Sequence, residues 1–112
     1  MKNSVRSKEF IRGKILYYLS LVFPHSSSMP LLQGELDLFG YPVPMEDLEY
    51  HVAYLKEKGY VAVDQVRGPR LEREGARPGS LRSGLTLVKI TAQGIDYKEG
   101  RLPVDEGVYL EP

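Results

Sequence analysis

Five arginines, Arg67, Arg70, Arg73, Arg77 and Arg82, fall within eighteen consecutive residues that also hold four glycines and two prolines. Only Glu72 and Glu74 oppose them, so the stretch Arg67–Gly84 carries a net charge of +3. Guanidinium groups on a glycine-rich backbone suit phosphate oxygens or a narrow minor groove, and each phosphate contact adds to the salt dependence of binding. The opposite charge is gathered upstream, where Glu46, Asp47 and Glu49 stand close together and Glu57 follows. Several carboxylates repel a phosphate backbone, although one alone can accept from cytosine. Tyr50 and Tyr54 lie one helical turn apart in the same segment. Their rings suit a nucleic-acid contact, a core edge or a protein interface.

Other chemistries find less support. The chain has no cysteine, which removes disulfides and thiolate nucleophiles or ligands. Its two histidines, His25 in a serine loop and His51 between Leu48 and Leu55, do not make the convergent set a metal requires. His51 is expected to be a packing residue at the flank of an apolar stripe. No glycine-rich phosphate loop is present, and Gly79–Gly84 is one residue too long for a nucleophile elbow. Glu46–Asp47 and Asp105–Glu106 are adjacent pairs, which do not converge on one helix face. No enzymatic activity, metal or cofactor is therefore expected.

The surrounding pattern says which elements carry these groups. Phe10, Ile11, Ile15, Leu19 and Val22 recur at spacings of three and four, which predicts a first helix from about Ser4 or Ser7 to Val22. Lys2, Arg6, Lys8, Arg12 and Lys14 are expected on its solvated face. Leu16, Tyr17, Leu21 and Phe23 extend its apolar surface, which predicts burial against a second subunit. Pro24 ends it. Ser28 is a good N-cap for a second helix from Met29 to about Phe39, after a loop over His25–Ser28. Pro44 opens a third, on which Met45, Leu48, Val52 and Leu55 form one stripe and Lys58–Gly59 make the stop. Strands are predicted over Tyr60–Val66 and Leu85–Thr91, then a short helix capped by Thr91. Residues 1–100 would form one α+β domain and residues 101–112 an extended tail.

A chain of 112 residues with 42% hydrophobic content suits one soluble core. The apolar run Ile15–Phe23 is too short to span a bilayer. No membrane association and a cytoplasmic location are expected. Net charge is zero, but residues 1–28 carry +4, 29–59 carry −4, 60–91 carry +3 and 92–112 carry −3. Patches rather than the total decide contact with a polyanion.

With "YLKEKGYV" closing the third helix and "KITAQG" leaving the second strand, the chain resembles winged helix-turn-helix regulators of the ArsR, MarR and PadR kind. Within that group it looks most like the compact winged-helix proteins of phages and prophages. The resemblance spans residues 7–100 and implies a three-helix core, a two-stranded β wing and a short C-terminal helix. It implies a transcriptional regulator that binds duplex DNA as a homodimer. By position, Glu46, Asp47, Glu49, Tyr50 and Tyr54 would face the major groove. Arg67, Arg70, Arg73, Arg77 and Arg82 would form the wing contact. The acidic third helix departs from the family pattern and shifts the expected contact toward the wing. The alternative is a winged-helix interaction module whose acidic third helix docks a protein partner without binding DNA.

Overall fold

A computed structural model describes residues 3–66 and 85–110, with side chains over 8–65 and 86–110. In chain order its elements are α1 (Asn3–Val22), β1 (Ser27–Ser28), α2 (Met29–Leu38), α3 (Met45–Glu57), β2 (Val61–Val66), β3 (Leu85–Ile90) and α4 (Ala92–Lys98). The architecture is α+β, with four helices and one antiparallel sheet of strand order β1–β3–β2 among the described residues.

The stripe on α1 buries Ile15, Leu16 and Leu19 completely. They join Leu32 and Leu36 of α2, Leu48, Val52 and Leu55 of α3, and Val88 and Ile90 of β3 in a single cluster. Burial of each such aliphatic side chain contributes about 2 kcal/mol before entropy is counted. The pleat sorts the hairpin in the same way. Val61 pairs with Ile90 and Val63 with Val88 toward the core, while exposed Ala62 pairs with exposed Lys89.

The helix ends follow from local chemistry. Ser28 Oγ accepts from the Leu31 amide at 3.3 Å and caps α2. Thr91 Oγ1 accepts from the Gly94 amide at 3.0 Å and donates to the Gly59 carbonyl at 2.6 Å, so one hydroxyl ties α4 to the turn after α3. That turn rests on Gly59, whose φ of 84° favours glycine. The Gly59 amide reaches the Lys56 carbonyl at 2.9 Å and the Tyr60 amide reaches Leu55 at 3.0 Å, closing a Schellman motif that sends the chain into β2.

Two features differ from the sequence reading. His25–Ser28 reads as a loop, yet Ser27 and Ser28 pair with Val88 and Leu87, so the sheet has three strands rather than two. Two residues carry no alternation from which a strand could be read. Residues 101–110 contain no helix or strand but are bound to the body. Val108 is buried, and the Tyr109 amide donates to the Glu9 carbonyl at 3.0 Å.

Candidate functional site

α3 divides its residues between solvent and core. Leu48, His51, Val52 and Leu55 are buried, while Glu46, Asp47, Glu49, Ala53, Lys56 and Glu57 are exposed. Glu46 and Asp47 lie in the first turn, where carboxylates are favoured by the helix dipole. Tyr50 is 60% exposed beside them. The expected groove-facing residues Glu46, Asp47, Glu49 and Tyr50 thus stand together on an open, acidic half-helix. The expected wing residues Arg67, Arg70, Arg73, Arg77 and Arg82 lie outside the described residues. Their segment joins the described strands β2 and β3.

Tyr54 lies elsewhere. It turns inward, donates its hydroxyl to Asp105 Oδ1 at 3.0 Å, and carries the Arg12 guanidinium 3.9 Å from its ring centroid. Its place on α3, one residue before the buried Leu55, puts it at the flank of the apolar stripe rather than opposite it.

Arg12 corrects a second expectation. It is 6% exposed rather than solvated. Its Nε donates to His51 Nδ1 and its Nη1 to the Gly107 carbonyl, each at 3.1 Å. Tyr54 and, at 5.6 Å, Tyr50 supply ring faces to the cation. The signal was present in the helical phase, because Arg12 stands three and seven residues before Ile15 and Leu19 and therefore falls within the core stripe. Burial, reinforced by the Arg12 cation, pushes the His51 imidazole down to about 4, and the more distant Lys8 acts in the same direction against Asp47. The ring is neutral at pH 7. With Nδ1 accepting from Arg12, its proton is assigned to Nε2.

Asp105, which the sequence marks only as half of an adjacent pair with Glu106, is the other end of this cluster. Its carboxylate accepts from Tyr54, from the Tyr60 hydroxyl at 3.3 Å and from the Gly107 amide at 2.9 Å, with Lys58 Nζ at 3.8 Å. Burial alone would raise the carboxyl, but the Gly107 amide, the Tyr54 hydroxyl and the Lys58 charge hold it below its ordinary range. Burial and the neighbouring carboxylate push the Tyr60 phenol up to about 12, and burial with the hydrogen bond to Asp105 raises Tyr54 as well. Tyr97 completes the clasp, accepting from the Asp105 amide at 3.0 Å and donating to the Val108 carbonyl at 2.9 Å. A Cβ at position 107 would strike the Tyr54 hydroxyl, so a side chain there would displace the ring that holds Asp105. The Tyr54 and Tyr60 phenols are protonated donors at neutral pH, and the cluster's chemistry is that of a clasp rather than of a nucleophile.

Of the expected subunit contacts, Leu16 is fully buried within its own chain, while Tyr17, Leu21 and Phe23 are 41%, 62% and 48% exposed. Leu31 and Leu38 of α2 are exposed as well. No helix among the described residues is long and apolar enough to cross a membrane. Compared with family models, curated proteins and solved structures, the chain matches none.

Proposed function

We propose that the chain is a winged-helix protein that binds duplex DNA through the arginine-rich connection between β2 and β3, acting as a small transcriptional regulator. The supporting observation is the order of elements. Helix, short strand, helix, helix and an antiparallel hairpin combine with strand order β1–β3–β2, and the hairpin's connection is the +3 segment Arg67–Gly84. Contact is led by those arginines, which supply phosphate or minor-groove recognition. The acidic half of α3 stands off the phosphates and makes at most single contacts to cytosine. Two copies associate through the exposed apolar residues Tyr17, Leu21 and Phe23, which would place two arginine loops on one duplex. A mobility shift at low salt tests the reading: a retarded complex on random duplex is expected, and its absence on every duplex tried contradicts it.

The open acidic surface of Glu46, Asp47 and Glu49, with Tyr50 beside it, favours a second reading. In it, α3 docks a basic protein partner and DNA plays no part. Charge reversal at those three residues would then abolish partner binding, whereas in the first reading it strengthens the hold on DNA.

A further inference from the structure

A groove of about 360 Å³ opens where α1 passes the start of α3, with Ile11, Pro42 and Pro44 as its apolar walls. Lys8, Asp47 and Tyr50 stand along its sides, and His51 belongs to the lining. His51 is 4% exposed, and its Nδ1 is occupied by the Arg12 donor. The remaining N–H, on Nε2, has no hydrogen-bond partner among the described residues. Yet no buried side-chain nitrogen or oxygen among them lacks a partner. Nε2 is therefore not sealed in the interior, and the open space that His51 lines is this groove. Arg12 fixes which nitrogen is free.

Asp47 precedes His51 by one helical turn, so the two side chains are neighbours on α3. The groove thus sets a neutral N–H donor beside a carboxylate acceptor, with the Lys8 ammonium as a further donor. A carboxylate ligand would satisfy His51 and Lys8 but oppose Asp47. An ammonium would satisfy Asp47 and leave the His51 N–H without an acceptor. A primary amide meets all three, with two lone pairs on its oxygen and two protons on its nitrogen.

We propose that this groove binds a neutral carboxamide, its carbonyl accepting from His51 Nε2 and its NH2 donating to Asp47, with the attached group lying along Tyr50 between Ile11 and the two prolines. The volume falls within the range of small-ligand sites. The site is independent of duplex binding and is tested without DNA.

The native chain is titrated with benzamide and with benzoate while the His51 ring nitrogens are followed by NMR. Benzamide is expected to shift the Nε2 resonance saturably, with benzoate roughly fivefold weaker because its charge faces Asp47. Asp47→Asn, at an exposed position that leaves the core untouched, should bring benzoate up to benzamide. Tyr50→Ala should weaken both. Acetylglutamine amide separates the two sources of this chemistry. Tighter binding than benzamide points to a side chain of a partner, and weaker binding points to a small ring compound. No shift at His51 up to the solubility of benzamide, or benzoate binding to the native chain as tightly as benzamide, overturns the assignment.

Discussion

The two halves of α3 use their polar residues in opposite ways. From Met45 to Tyr50 the helix shows Glu46, Asp47 and Glu49 to solvent with no partner needed to hold them. From His51 onward, beside the exposed Lys56 and Glu57, it also carries polar groups that serve a buried cluster. His51 receives Arg12, Tyr54 and Lys58 hold Asp105, and Tyr60 joins them from just beyond the helix. A charge that is satisfied at the surface can be changed at little cost, and one that organises a buried cluster cannot. The first half is therefore where charge can be altered without loss of the fold. The second half ties α1, α3, α4 and residues 105–109 into one body.

Perturbing the inward half should have the largest effect. Arg12→Ala leaves His51 Nδ1 and the Gly107 carbonyl without their donor and empties the space over Tyr54. A loss of about 3 kcal/mol is expected, read from urea unfolding midpoints. Asp105→Ala, which strands the Tyr54 and Tyr60 hydroxyls, should cost about 2 kcal/mol on the same measure and expose residues 105–109 to proteolysis.

The pH dependence sharpens the contrast. The folded His51 titrates at about 4 against an ordinary 6.5, so the unfolded chain takes up the proton first as pH falls. Stability from this group is complete above pH 6.5 and declines between 6.5 and 4. Asp105, held below its ordinary 3.8, adds stability that is present above that value and is lost at still lower pH. A His51→Gln chain should show a flatter profile of denaturant midpoint between pH 6.5 and 4 than the native chain, once its own lower baseline is subtracted.

The smallest effect on stability belongs to the outward half. Replacing Glu46, Asp47 and Glu49 together by Gln, Asn and Gln should change unfolding free energy by no more than about 1 kcal/mol, mostly through the lost dipole interaction. The same change should tighten duplex binding if the arginine segment leads the contact.

Much of this division was legible in the chain, and the remainder was hidden for identifiable reasons. Ser28, Gly59 and Thr91 announce their helix ends because caps depend on local side-chain chemistry. The stripes on α1 and α3 announce the core because burial follows the helical period. The two-residue β1 is set by pairing with β3, which no local pattern encodes. The charge of Arg12 points to solvent, although its phase matches Ile15 and Leu19; the rings and carbonyl that receive it come from positions 50, 54 and 107. Asp105 is hidden for the same reason, since Tyr54, Lys58 and Tyr60 come to it from the distant end of α3 and the turn beyond. At the candidate site, the acidic half of α3 is legible from composition alone. The groove at His51 is not, because it depends on which imidazole nitrogen Arg12 occupies.

The central claim is that duplex binding is led by the β2–β3 arginines and not by α3. Fluorescence anisotropy of a labelled duplex across a salt series tests it, comparing the native chain with Arg70→Ala, Arg73→Ala and Arg77→Ala combined. The native chain should bind with an affinity that falls steeply with salt. The triple variant should lose affinity and flatten the logarithmic slope by up to about 2.7 if all three arginines contact phosphate. Equal slopes for the two chains, or no binding by the native chain at low salt, would contradict the account.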